Sequence, residues 1–223
     1  MKLFQTLLDL LYPPRCMFCH QYLPRGEKAV CCSCRETLKV LEARERMQTL
    51  PGLALCTSLF RYEGRVRDAI LRYKFHALSF YSREFASMMA ENMTESELAC
   101  DLITWVPLSR KRKRSRGYDQ AGLLAKELAE RTDVPCSCLL VKKRDTPPQS
   151  GSGGREARKK NISNAYRLKK GIDLTGKTIL LIDDIVTTGA TLEECAAVLA
   201  AGGAACIKAA TIARTDKKLT EVL

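Results

Sequence analysis

The chain has 223 residues, 46% of them hydrophobic, enough for one α/β core plus a small extra module and too apolar for a disordered tail. Lys and Arg number 37 against 25 Asp and Glu, a net charge of +12 that draws polyanions and speeds their encounter. No stretch is long enough to span a bilayer, so stable membrane insertion is not expected. The 11 cysteines, an odd number without a secretion signal, argue against a disulfide framework and for a cytoplasmic location.

Residues 1–14 (MKLFQTLLDLLYPP) predict a short amphipathic helix with Phe4, Leu7, Leu8 and Leu11 on one face, packed on the body. A membrane-surface role is the alternative, disfavoured by the sparse charge beside it. Next come Cys16-x-x-Cys19 and Cys31-x-x-Cys34. Two such pairs form tight turns that aim four thiolates at one tetrahedral Zn²⁺. The stretch between them is too short to build a core, so metal binding supplies folding energy. A closed four-sulfur site leaves no open position, which makes the zinc structural; reduced metal-free thiols and a redox pair are the alternatives. Cys32 competes with Cys31 for the register, and Cys31 is preferred because it keeps the two-residue spacing to Cys34. His20 is expected outside the ligand set. Residues 35–47 (RETLKVLEARERM) read as helix, and Pro51 with Gly52 mark a boundary between a module at 1–50 and a domain at 51–223.

The larger domain predicts an extended edge segment over 55–62 and helices over 65–75 and 80–92. A strand over 102–106 stops at Pro107, a helix follows over 118–131, and a strand over 138–141. Residues 144–160 are polar and Gly-rich, a candidate lid carrying Arg144, Gln149 and Arg158, with Asn161 just beyond. The apolar strand 178–182, a helix over 191–200 and a strand over 205–213 complete the chain. Cys195 and Cys206 read as core fillers, and Cys136 and Cys138 as structural. Alternating strands and helices predict an α/β fold with a mostly parallel open sheet covered on both faces, its ligand beyond the C-terminal ends of the strands.

At such an end the chain reads ILLIDDIVTTGAT, residues 179–191. Asp183 and Asp184 suit the two hydroxyls of a ribose, because carboxylates only accept hydrogen bonds. Thr187, Thr188 and Thr191 offer hydroxyls, and Gly189 lets the backbone turn its N–H groups toward an anion at a helix start. The pattern fits a ribose 5-phosphate and lacks the GxxxxGK[ST] of a nucleotide P-loop.

This run resembles the signature of the type I phosphoribosyltransferases. The resemblance implies that Asp183 and Asp184 contact ribose, and that Val186, Thr187, Thr188, Gly189 and Thr191 hold the 5-phosphate of phosphoribosyl diphosphate, with Mg²⁺ on the ligand's own oxygens. Two Cys pairs, then FRYEGRVRDAILRYKFH (60–76), WVPLSRKRKRSRGYDQAGLLAKELA (105–129) and RDTPPQSGSGGREARKKNISNAY (144–166), resemble the ComF family over nearly the whole chain. That family is double-zinc-ribbon and phosphoribosyltransferase-like. The resemblance implies handling of single-stranded DNA in natural transformation beside a DNA-translocating ATPase. An active transferase and a scaffold that senses phosphoribosyl diphosphate are the alternatives.

By the same resemblance the turn after the strand at 102–106 holds pyrophosphate, with Ser109 and Arg110 as candidates. Asp183, Asp184 and Arg110 form the candidate catalytic set. Lys111, Arg112, Lys113, Arg114, Arg116, Lys142, Lys143, Arg158, Lys159 and Lys160 are the candidate nucleic-acid contacts. Asp119 reads either as a helix cap or as a substrate contact. Lys74, Phe75 and His76 read equally as a basic helix end or as a ligand contact. The spacing of Tyr73, Tyr81 and Tyr118 shows no stacking array for bases, and Trp105 reads as core.

Overall fold

The computed structural model describes residues 13–24, 27, 29–75, 80–143 and 164–216. The helix expected over 1–14 lies almost wholly outside the described residues. So do His76 and the candidate lid with Arg144, Gln149, Arg158, Lys159, Lys160 and Asn161.

Four parallel strands make the centre. They are β2 (Leu55–Arg61), β3 (Leu102–Trp105), β6 (Thr178–Val186) and β7 (Cys206–Arg214), and the two-residue β1 (Met47–Gln48) joins antiparallel, giving the order β1-β2-β7-β6-β3. The mostly parallel α/β sheet is as expected. The segment expected at the edge, β2, is interior, paired on both sides by β1 and β7. The edge falls to β1, too short to template further pairing.

Both faces of the sheet are covered, which is why β6 reads as an unbroken apolar run. Leu180 and Ile182 point to one face and Ile179 and Leu181 to the other, all fully buried. The first face carries α3 (Gly64–Phe75), α4 (Tyr81–Asn92), α7 (Gln120–Thr132) and the cysteine module. The second carries α8 (Ala190–Ala201) and a separate antiparallel pair, β4 (Leu140–Lys142) with β5 (Tyr166–Leu168).

The single helix expected over 35–47 is two short ones, α1 (Cys32–Thr37) and α2 (Ala43–Arg46). Leu38 leaves α1 in an extended conformation, and Leu41 is buried and donates its N–H to the carbonyl of Leu59. Burying Leu41 against β2 outweighs the propensity that favours a continuous helix.

The break delivers Arg46 into the core. Its guanidinium donates to both carboxylate oxygens of Glu97, at 3.1 and 3.0 Å, and to the carbonyl of Leu41 at 3.1 Å. Glu97 lies on α5 (Glu95–Leu98) and is wholly buried. It also accepts from the Thr57 hydroxyl at 2.7 Å and from the Thr94 N–H at 2.6 Å, the latter as half of a capping box. Burial alone would raise Glu97; Arg46, then Thr94 and Thr57, hold it down at about 2. A carboxylate depressed in the fold stabilises it above the unfolded value of 4.5 and loses that contribution as pH falls toward 2. Glu97→Ala is therefore expected to cost about 3–5 kcal/mol, because it strands Arg46 without its partner. The urea midpoint of the wild type should fall between pH 4.5 and 2, and Glu97→Gln should flatten that slope.

Candidate functional site

β6 continues past the expected end at Ile182, through Asp183 and Asp184 to Val186, because β7 runs beside it to Arg214. Successive strand residues face opposite sides. Asp184 therefore turns toward α3, where its Oδ1 meets Lys74 Nζ at 2.9 Å. Asp183 turns toward the α8 layer, where its charge adds to burial in raising the thiols of Cys195 and Cys56. Asp183 Oδ1 accepts from the N–H of Asp184 at 2.9 Å. Burial and then the charge of Asp184 push Asp183 up to about 8, against the opposing pull of Lys74.

The turn after β6 leads into α8. Gly189 is its N-cap, with φ of 84°, a conformation that disfavours any side chain. A Cβ there would also lie 2.5 Å from Leu50 Cδ2. Leu50, which follows β1, thus packs directly on the turn. Thr187 is exposed, Thr188 and Thr191 are half-buried, and Thr188 Oγ1 accepts from the N–H of Ala190 at 3.5 Å.

A second loop follows β3. The basic run Arg110–Arg116, for which the sequence predicts no element, is a helix, α6. The Ser109 hydroxyl caps its start by accepting from the N–H of Arg112 at 3.3 Å, and Gly117 ends it with φ of 82°. Asp119 is the N-cap of α7, two residues later than the helix expected from 118. It accepts from the N–H of Gly122 at 3.2 Å and of Leu108 at 3.3 Å, so it ties α7 to the loop before α6. Of the two readings of Asp119, this geometry accounts for the cap.

α3 closes the site. The Tyr73 hydroxyl donates to the carbonyl of Gln120 at 2.7 Å, the Tyr118 hydroxyl donates to that of Tyr73, and Gln120 Nε2 donates to that of Lys74 at 3.4 Å. These bonds fix the helix end that carries Lys74. Arg116 donates to Gln120 Oε1 at 3.0 Å. Burial lowers Arg116, while the nearby Asp184 charge opposes that effect. Lys74, Asp184 and Arg116 are thus brought together. Lys142 and Lys143 lie on and beside β4, with the Lys142 ammonium 5.2 Å from the Tyr166 ring centroid.

At the other end of α3 lies the cysteine cluster. The ligand atoms of Cys16, Cys19, Cys31 and Cys34 all lie within 4.8 Å of one another, and Cys19 and Cys31 Sγ are 3.7 Å apart. A tetrahedron of Zn–S bonds of about 2.3 Å requires sulfurs about 3.8 Å apart, so the set fits zinc. Cys34 is pushed up to about 12 by burial and the neighbouring thiols. In Cys16 the N–H groups of Cys31, Cys19 and Phe18 outweigh burial and hold it near 7. A dication would hold all four as thiolates. Cys32 is exposed and its thiol donates to Glu27 Oε1 at 2.7 Å, while Cys31 is the one that sits in the cluster. His20 is outside the four.

Arg72 donates to the carbonyls of Met17 and Phe18 at 2.8 and 2.7 Å, and Arg65 approaches Cys34 Sγ at 3.5 Å. These tethers were missed in the sequence, although Arg65 and Arg72 stand two helical turns apart on one face of α3.

The sequence models of two families match this chain. The "Phosphoribosyl transferase domain" matches residues 115–222 and the "Double zinc ribbon domain" matches residues 7–45. "Competence protein ComFC" of Bacillus subtilis is 27% identical, over 96% of this chain and 96% of its own length. A double zinc ribbon joined to a phosphoribosyl transferase domain, with competence proteins among the relatives, matches the ComF family. "Competence protein F" of Haemophilus influenzae is 25% identical over 81% of this chain and 88% of its own. "DNA utilization protein YhgH" of Escherichia coli K12 is 26% identical over 92% and 99%. Lys74, Arg72 and the cysteines lie outside the residues matched by the transferase model.

A carboxyl raised in the fold opposes folding increasingly as pH climbs from its unfolded value of 3.8 toward 8. Asp183→Asn is therefore expected to raise the melting temperature at pH 8, with the gain shrinking toward pH 4. Calorimetric melts across that range check it.

Proposed function

We propose that this ComF-family chain binds phosphoribosyl diphosphate, as its Mg²⁺ complex, at the lip of β6, and that it acts on single-stranded DNA during natural transformation. The observation that carries the reading is the acidic pair followed by the Thr-Thr-Gly turn into α8, a helix of 12 residues. Asp183 and Asp184 take the ribose hydroxyls. Val186, Thr187, Thr188, Gly189 and Thr191 take the 5-phosphate at the positive end of the helix dipole. Ser109 fixes the start of α6, and Arg110 meets the diphosphate. Among the described residues no further His, Cys, Asp or Glu joins the pair to make a metal site, and Lys74 already holds Asp184. Mg²⁺ therefore enters on the ligand's own oxygens, neutralising the diphosphate.

The same groups suit phosphoribosyl transfer. The bond from ribose C1 to diphosphate breaks as a bond from C1 to the acceptor forms, and the acceptor gives up its proton. Asp183 and Asp184 orient the ribose, while Arg110 stabilises charge on the leaving diphosphate.

The DNA reading is supported by the family and by charge. The names of the relatives refer to competence and DNA utilization in those organisms. In this chain Arg110, Lys111, Lys113 and Arg114 are exposed on α6, which also carries the half-buried Arg112 and Arg116, while Lys142 and Lys143 lie on and beside β4. Arg158, Lys159 and Lys160 extend the same basic tract in sequence. We place the protein in the cytoplasm, with a DNA-translocating ATPase as its partner and structural zinc on Cys16, Cys19, Cys31 and Cys34.

Titration of zinc-loaded protein with phosphoribosyl diphosphate and Mg²⁺ in a calorimeter tests the ligand. Binding is expected for the wild type and a loss of about a hundredfold or more for Asp183→Asn with Asp184→Asn, since buried hydrogen bonds to ionised groups contribute about 1.5–3 kcal/mol each. Equal heats from the two proteins would contradict the reading.

A further inference from the structure

Phe75 is the last residue of α3 and the most exposed large apolar side chain among the described residues, at 64%. The aromatics considered for stacking from the sequence do not share that position: Tyr73 and Tyr81 are buried, and Tyr118 is half-buried with its hydroxyl on the Tyr73 carbonyl. An exposed Phe alone is ordinary. Phe75 is not alone: the Arg116 guanidinium lies 5.0 Å from its ring centroid. Both members of this pair are held from behind. Arg116 is bonded to Gln120 Oε1, and Gln120, itself buried, donates to the carbonyl of Lys74, the residue before Phe75. The pair is therefore pre-organised, so little side-chain freedom is lost when something flat settles on it.

The setting specifies what that flat object is. Lys74, the residue before Phe75, reaches Asp184 at 2.9 Å, so the chain that carries the ring is anchored on the acidic pair. Arg116 is also the last residue of α6, whose seven residues RKRKRSR contain six bases and no acid. Among the described residues no acid pairs with Arg110, Lys111, Lys113 or Arg114. An aromatic face crossed by a guanidinium, continuous with a run of phosphate-binding charges, matches a planar base on a phosphate backbone. An acidic peptide would use the charges and leave the ring idle.

We propose that Phe75 and Arg116 form a stacking platform for a base of single-stranded DNA, with the strand's phosphates along α6. The platform holds that base beside the phosphoribosyl cradle. This deepens the reading above, on which it rests for the presence of the strand, and it assigns a site to α3, outside the matched transferase residues 115–222.

The test compares two labelled oligonucleotides of about twelve nucleotides, within the span of one single-strand site. One is oligothymidine; the other has the same phosphates with abasic sugars. Fluorescence anisotropy is read on the full, zinc-loaded chain at one salt concentration. The wild type should bind the base-bearing strand about tenfold more tightly than the abasic one, the worth of roughly one stacked base. Phe75→Ala should weaken only the base-bearing strand and bring the two affinities together. Phe75→Trp should keep them apart. Equal affinities in the wild type, an equal loss for both strands in Phe75→Ala, or no binding of either strand would overturn the platform. Titration with Mg²⁺ and phosphoribosyl diphosphate separates the two ideas: it should be unchanged in Phe75→Ala. A chain that binds no phosphoribosyl diphosphate yet prefers the base-bearing strand through Phe75 would sink the cradle and leave the platform standing.

Discussion

The parallel pairing of β6 with β7 is the constraint on which the site depends. The register runs from Thr178 opposite Cys206 to Val186 opposite Arg214. Because β7 accompanies β6 past the apolar run, Asp183 and Asp184 are held as strand residues rather than as loop residues. Pleating then divides them between the two faces of the sheet. Each meets a different environment, a lysine for Asp184 and a buried layer for Asp183. The pair is two carboxylates in different settings, Asp184 ion-paired with Lys74 and Asp183 raised by burial.

Helix α3 is the second organising element. Its first turn meets Cys34 through Arg65, its third holds the backbone of the first cysteine knuckle through Arg72, and its last residues reach Asp184 and Arg116 through Lys74 and Phe75. Along the same line Phe18 packs edge-on against Phe60 and Phe85, and Tyr73 against Phe85 and Tyr118. The residues of the cysteine module and those of the sheet's first face form one continuous core. Metal at the four cysteines would therefore stiffen the wall of the site as well as the module. The buried pair of Arg46 and Glu97, with Thr57 of β2 on the same carboxylate, makes a second tie between the end of the module and the sheet.

Much of this was legible in the sequence, where local pattern and tertiary outcome agree. The strand and turn at 179–191 were readable because an unbroken apolar run, two acids and a glycine leave little else to form. The four cysteines were readable because their spacing is itself geometry. Legibility failed where distant contacts decide. Nothing local in 35–47 says that Leu41 will be drawn onto β2 and break a helix. The neighbour of β6 decides that the strand outlasts Ile182. The run at 110–116, with six bases in seven residues, has no apolar stripe to announce a helix, yet Ser109 and Gly117 cap both ends of it. The pairing of Arg46 with Glu97, 51 residues apart, left no local signal at all.

Amide hydrogen exchange, with and without saturating Mg²⁺ and phosphoribosyl diphosphate, tests the central claim most directly, since it reports where the ligand sits. Slowed exchange is expected through residues 185–191 and in the last turn of α3 around Lys74, with the cysteine module little changed. Saturable binding that leaves both segments exchanging as before, with protection elsewhere in the chain, would contradict it.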